Sequence, residues 1–189
     1  MDDNCINRIN QIIIMSYYNE IAEGYEELHE VEQLAKLNVI KKLLEENKIK
    51  ISPNFRLLDV GCGSGISTRF WDFTECERIG IDPAEKLIEI AQKKDIKGQY
   101  FVEEAENISF EDNLFDFVIS ITAIHNFEDI KKGIEEIERV GKKFFILTIL
   151  KKAINFKEII STIKEKFKVI KSYEEEKDHI LICKSHSKV

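Results

Sequence analysis

Strand-like runs alternate with helix-like segments along this 189-residue chain, which predicts an α/β fold. The expected architecture is a seven-stranded, mostly parallel sheet with helices on both faces and an antiparallel hairpin at its end. Three observations carry that reading. The stretch Leu57-Leu58-Asp59-Val60-Gly61-Cys62-Gly63-Ser64-Gly65 reads as a buried strand and a glycine-rich turn, with a helix following from Ile66. Downstream, β-rich runs and amphipathic segments take turns. Finally, the runs Lys168 to Tyr173 and His179 to Cys183 are separated only by Glu174-Glu175-Glu176-Lys177-Asp178. That gap is too short for a helical crossover, so the last two strands must be antiparallel.

Taken in order, the first fifty residues read as helical. Ile6, Ile9 and Ile13 share one face, and Val31, Leu34, Ile40 and Leu44 keep roughly the same period until Ser52-Pro53-Asn54 breaks it. The first strand, about Arg56 to Val60, enters the glycine turn, and a short helix carries Ile66, Phe70 and Phe73. A second strand, Arg78 to Ile81, ends in Asp82-Pro83, and Leu87, Ile90 and Ala91 mark a helix to about Lys94. The third strand is Gln99 to Glu103, before the acidic loop Glu104-Ala105-Glu106, and the fourth is Phe115 to Ile121. Ile130, Ile134 and Ile137 give the next helix and Lys143 to Ile149 the fifth strand. Phe156, Ile159, Ile160, Ile163 and Phe167 form one apolar stripe ahead of the final hairpin. Nothing marks a second domain: residues 1–50 read as a helical cap on a sheet core of residues 55–189.

Composition bounds the function. The apolar fraction of 43% and charged fraction of 33% fit a globular protein. The net charge of −7 gives no support to a nucleic-acid partner. Between Gly141 and Lys171, nine lysines face two glutamates, a local balance of +7 that leaves −14 for the rest. Such a run is a solvated face or an anion-facing rim. Cys5, Cys62, Cys76 and Cys183 form no Cys-x-x-Cys pair, so no metal site or redox motif is written here, and reduced thiols in the cytoplasm are expected. No run approaches the ~18 apolar residues of a membrane span, and the acidic start Met1-Asp2-Asp3 is unlike a signal peptide.

In such sheets ligands bind beyond the carboxyl ends of the strands. Asp59 and the glycine turn close the first strand. Asp82, seventeen residues after Gly65, closes the second and is placed to accept both hydroxyls of a ribose. Glu104-Ala105-Glu106 follows the third, where an amide and a carboxylate can read an adenine edge. Ser120, Ile121 and His125 follow the fourth. A nicotinamide dinucleotide also uses a glycine turn plus an acid, but Gly-x-Gly-x-x-Gly is absent because position 66 is Ile, and so is a Tyr-x-x-x-Lys pair. An acidic site without a basic group in its turn suits a cationic ligand better than a pyrophosphate. S-adenosylmethionine, with its sulfonium and ammonium, is such a ligand, and Asp59 would help hold the ammonium through water.

These residues carry a resemblance. The segments 57–65, Gly80-Ile81-Asp82-Pro83 with Leu87 and Ala91, Glu104-Ala105-Glu106 with Phe110, and Phe115-Asp116-Phe117-Val118-Ile119-Ser120 resemble, in order, class I S-adenosylmethionine-dependent methyltransferases. The type is the small one related to ubiquinone and menaquinone biosynthesis. Tyr17-Tyr18-Asn19-Glu20-Ile21-Ala22-Glu23-Gly24-Tyr25 resembles that family's N-terminal segment, which folds over the cofactor. The resemblance implies a Rossmann-like sheet with strand order 3-2-1-4-5-7-6. It also implies cofactor contacts from Tyr18, Tyr25, Asp59, Gly61, Cys62, Gly63, Gly65, Asp82, Pro83, Glu104, Ala105, Glu106, Ser120 and Ile121. Within that set Gly61 and Gly63 would hold the methionine moiety, Asp82 the ribose, Pro83 and Ala105 the adenine, and Glu104 its exocyclic amine. The chain departs from the family in having Glu rather than Asp at position 104. It also shortens the segment before strand five to Val140-Gly141-Lys142-Lys143.

The implied activity is methyl transfer to an unidentified acceptor, with a catalytically inactive cofactor-binding scaffold as the alternative. His125 is the histidine placed to serve as a base; a structural role at the start of a helix fits it as well. No Asn-Pro-Pro-Tyr, Asp-Pro-Pro-Tyr or Pro-Cys follows strand four, which argues against exocyclic amino methylation by that motif and against covalent pyrimidine methylation. Short loops after strand five and in the last hairpin leave the acceptor side open. The resemblance also suggests a partner, a small zinc-binding activator that adds a strand at the sheet edge. That edge would be Gln99 to Glu103, with Tyr100 and Val102 on one face.

Overall fold

The computed structural model describes residues 30–186. Its sheet has seven strands: β1 (Arg56–Val60), β2 (Glu77–Asp82), β3 (Gln99–Val102), β4 (Phe115–Ile121), β5 (Gly141–Leu150), β6 (Phe167–Glu174) and β7 (Asp178–Ser185). They lie in the order β3-β2-β1-β4-β5-β7-β6, the order that the resemblance implied. The pairs among β1 to β5 are parallel, and β7 is antiparallel to both β5 and β6. The helices are α1 (residues 30–46), α2 (Ile66–Phe70), α3 (Glu85–Lys94), α4 (Ile130–Val140) and α5 (Phe156–Lys166). The helical expectation for residues 6–25 falls outside the described residues; its continuation is α1.

The central strands are buried on both sides, so their sequences are apolar runs in which successive residues serve opposite cores. Leu58, Val118 and Leu147 point to one face, where Ile134 and Ile137 of α4 and Ile159 and Ile163 of α5 cover them. Leu57, Phe117 and Ile146 point to the other, under Leu37, Ile40 and Leu44 of α1 and Ile66 of α2. Helix α2 is short because it tightens into a 3₁₀ turn, Trp71–Thr74, which buries Trp71 and leaves Phe73 half exposed beneath the Lys41 ammonium, 4.5 Å from the ring centre.

Two connections differ from the sequence expectation. Strand β3 stops at Val102, and the Glu103 carboxylate beyond it accepts from Ser109 N (3.1 Å) and Ser109 Oγ. The segment Val140 to Lys143 is not a loop at all: α4 ends at Val140 and β5 begins at Gly141. A Cβ at Gly141 would lie 2.1 Å from the Phe145 ring, so only glycine permits that direct passage. At the end of α4, Arg139 donates to the carbonyls of Phe110 (2.8 Å) and Ile108 (2.7 Å) and to the carboxylates of Asp112 and Glu136. This fan pins the long β3–β4 connection, including its acidic start, onto the body of the protein.

The two sheet edges are built differently. On β3, Tyr100 is covered by the chain's own α3 and donates to Asp95 Oδ2 at 2.9 Å, while Phe101 and Val102 are 40% and 51% exposed. Tyr100 and Val102 therefore do not form one free apolar face, as the alternation of the strand suggested. On β6, Lys168 stands exposed and the register shifts between Val169 and Lys171.

Phe117, with no exposed surface, stacks on Phe144 at 5.1 Å at the centre of the α1-side core. Phe117→Ala should cost about 3–5 kcal/mol. A lower urea midpoint with an unchanged slope is the expected measurement.

Candidate functional site

The carboxyl ends of β1, β2 and β4, the start of the β3–β4 connection and the first turns of α1 and α3 enclose a cleft of about 960 Å³, part of it open to solvent.

Its floor is the turn after β1. Gly61, Gly63 and Gly65 have φ of +76°, +54° and +81°, in the left-handed region that side chains rarely enter. The Gly61 and Cys62 amides both donate to the Ile81 carbonyl, at 2.8 and 3.0 Å, which folds the turn back over the end of β2. A Cβ on Gly61 would meet the Ala123 Cβ at 2.4 Å, so the turns after β1 and β4 touch with no room between them. Asp82, half buried, ties the floor together: Oδ2 accepts from Gly63 N (2.9 Å) and Oδ1 from Ala84 N (2.8 Å). Each oxygen retains a lone pair for a further donor. Burial raises the Asp82 pKa, and these two amides oppose the shift.

The lining is acidic. Asp82, Glu103, Glu104 and Glu106 line it, the Glu103 carboxylate being held by Ser109, and no lysine, arginine or histidine stands beside them among the described residues of the cleft. Glu106 accepts from Asp129 N at 3.1 Å, and burial raises its pKa. Cys62 also faces the cleft; burial, Asp82 and Asp59 push its thiol up, so it is a neutral packing group and not a nucleophile.

Of the residues expected from sequence, Gly61, Cys62, Gly63, Asp82, Pro83, Glu104, Ala105, Glu106 and Ile121 line the cleft together. Tyr18 and Tyr25 lie outside the described residues. Four others stand behind the wall. Asp59 is fully buried beneath the turn, where Oδ2 accepts from Ser67 Oγ and Thr68 Oγ1 (2.7 Å) and Oδ1 has no partner among the described residues. Burial lifts its pKa to about 7 despite those hydroxyls. It reaches the cleft through Ser67, which does line it. Gly65 packs on Ala91 and the Tyr100 ring, and the buried Ser120 hydroxyl donates to the Val60 carbonyl at 2.8 Å. His125 is turned away by the 3₁₀ turn Ile124–Asn126, whose three residues face three directions. Ile124 enters the core, Asn126 the cleft, and His125 neither. Burial depresses its pKa, and Nδ1 has no partner among the described residues.

Sequence reasoning missed Gln33, Ser67, Thr122, Ala123, Asn126 and Phe127 in the lining. Thr122 and Ala123 directly follow a strand end, a signal that was there to use. Gln33 carried none, because only the docking of α1 brings it in. Thr122 is unusual in another way: its φ is +57°, a conformation that costs a β-branched residue about 1–3 kcal/mol. Its hydroxyl accepts from Lys36 Nζ (2.6 Å) and donates toward Asp178 Oδ1 (3.1 Å), and Lys36 and Asp178 form a buried ion pair at 2.7 Å.

Comparison with known proteins agrees with this geometry. Residues 58–146 match the methyltransferase domain family. A demethylmenaquinone methyltransferase of Thermotoga maritima is 29% identical over 138 residues, 72% of this chain and 60% of the relative. The chain spans about half the length of other curated relatives that it matches. The magnesium protoporphyrin IX methyltransferase of Synechocystis, solved with bound S-adenosylmethionine, superposes with a TM-score of 0.72 at 14% identity, covering 93% of this chain and 97% of that one. A complex between the Haloferax volcanii Trm112 methyltransferase activator and a methyltransferase superposes with a TM-score of 0.70 at 14% identity, covering 89% and 97%. With the strand order, the glycine turn and its acid-lined cleft, these matches make the chain similar to the class I S-adenosylmethionine-dependent methyltransferases and support that reading of its fold and cofactor.

Proposed function

We propose that this chain transfers a methyl group from S-adenosylmethionine to an acceptor that enters beside α1. The observation that carries the reading is a cleft lined by four acidic residues and no cationic one among the described residues, built on a turn in which any Cβ at Gly61 would collide. Such a donor set fits a sulfonium and ammonium ligand and repels a pyrophosphate. Gly61 and Gly63 would hold the methionine end through the backbone. Asp82 would accept the ribose hydroxyls on its remaining lone pairs, and Pro83, Glu104 and Ala105 would hold the adenine. The bound cofactor supplies an activated methyl group, so the chain needs no nucleophile of its own. Its residues bind, align and exclude water. His125, facing away from the cleft, is not assigned a proton-transfer role.

The acceptor side is bounded by Gln33, Thr122, Ala123 and Asn126, and the β5–α5 connection is only five residues long. Among the described residues that side is open, which supports a macromolecular acceptor, with a small molecule as the alternative. A second reading rests on β3: a terminal strand with Phe101 and Val102 exposed is a surface on which a partner strand can pair. A small activator there is compatible with methyl transfer and with the alternative of a cofactor-binding scaffold.

Two measurements test the cofactor assignment. Calorimetric titration should show binding of S-adenosylmethionine and S-adenosylhomocysteine and none of NAD. Asp82→Ala should weaken both sulfur ligands at least about tenfold by removing two ribose bonds of about 1 kcal/mol each. Heat with NAD alone would overturn the reading. Asp59 supplies the pH dependence. Its carboxyl holds a proton up to about pH 7 in the folded chain but ionises near 4 when unfolded. Its contribution to stability is therefore complete below about pH 4 and lost as pH rises through 7, at up to about 1.4 kcal/mol per pH unit. A cationic ligand favours the ionised form, so affinity for S-adenosylmethionine should rise from pH 6 to 8 with proton release. Asp59→Asn should flatten both trends, in thermal melts and in titrations in two buffers of different ionisation heat.

A further inference from the structure

The buried ion pair between Lys36 and Asp178 has side chains only 3% and 1% exposed and joins the first turns of α1 to the start of β7. Two charges taken from water to such a place are weak evidence for stability, since apolar residues of the same size often do as well. Their shared partner is the Thr122 hydroxyl, which lies within 3.1 Å of both and of Thr148 Oγ1. The Thr122 amide is held too, by Thr148 Oγ1 at 2.7 Å. Three groups, from α1, β5 and β7, therefore fix one residue whose backbone is in a conformation that it would leave if released.

That residue carries the wall of the cleft. Ile121, Thr122 and Ala123 line it in sequence, and Ala123 is the group pressed against Gly61. A Thr122 that relaxed to negative φ would swing Ala123 off the glycine turn and open the end of the cleft next to Gly61, leaving the Asp82 and Ala105 end untouched. We propose that Lys36, Asp178 and Thr122 form a positioning device that holds the post-β4 turn against the glycine turn and so preforms the methionine end of the cofactor site. This rests on the cofactor reading given above. Thr122 and its two partners are positioning residues: the hydroxyl is spent inside the network and its effect reaches the ligand through the backbone.

The test compares two ligands that share an adenosine and differ in the chain beyond sulfur, S-adenosylhomocysteine and 5′-methylthioadenosine. Thr122→Val keeps the shape and removes the hydroxyl; Thr122→Ser keeps the hydroxyl. The valine variant should bind S-adenosylhomocysteine about tenfold more weakly while its affinity for 5′-methylthioadenosine stays within about twofold, and the serine variant should recover wild-type values. A purely structural role would lower the melting temperature and leave this ratio alone. Should the valine variant fail to fold, Lys36→Met combined with Asp178→Leu removes both charges together and should give the same selective loss. Wild-type affinity for S-adenosylhomocysteine in a folded variant, or equal weakening of both ligands, would overturn the proposal. A wild-type chain that binds neither ligand would overturn the cofactor reading as well, which separates the two failures.

Discussion

One carboxylate holds the floor of the cleft. Asp82 accepts the amides of Gly63 and Ala84, one from the turn after β1 and one from the start of α3. Without an acceptor there, two backbone donors in a half-buried place would lose their partners, and leaving such groups unsatisfied costs about 1–3 kcal/mol each. The glycine turn can fold back on β2 only because Asp82 and the Ile81 carbonyl receive its amides. The same carboxylate faces the cleft. Geometry and the proposed ribose contact thus share one side chain, and the architecture around it supplies the rest: parallel strands that end together, and helices that start there.

Buried polar groups concentrate at those strand ends. Asp59, Ser120 and Thr148 are fully buried, and Asp178 almost so, in an interior made mainly of Leu, Ile, Val and Phe. Each has work to do on the layer above it. Asp59 takes two hydroxyls from α2, Ser120 ties β4 to β1, and Thr148 and Asp178 hold Thr122. Below this polar layer the sheet is a rigid apolar slab, and above it the loops line the cleft.

How much of this was legible in the sequence follows from the range of the forces involved. Strand limits, the Asp82 position and the closing hairpin are written in local patterns: apolar runs, a turn of glycines and a gap of five residues. The Glu104-Ala105-Glu106 corner followed from the strand that precedes it. Gln33 and the Ala123–Gly61 contact were not legible, because segments far apart in the chain meet only when α1 and the post-β4 turn dock. His125 falls outside the cleft lining, consistent with the structural reading, because a 3₁₀ turn rotates 120° per residue, and spacing read at helical or strand periods does not report that rotation. Tyr100 reads as an edge residue and is buried, since Gly65, Gly80 and Gly98 leave room for its ring.

The two edges of the sheet are unequal as surfaces for a further strand. β6 carries an exposed lysine and a register break, two features that discourage a neighbouring strand. β3 carries neither and presents Phe101 and Val102 instead. A molecule with two adhesive edges can add copies without end; one with a single adhesive edge saturates when that edge meets its own kind about a two-fold axis. Where a further strand adds to this sheet, β3 is the edge that offers it free backbone groups, and a partner strand there would occupy the same groups that a second copy would need.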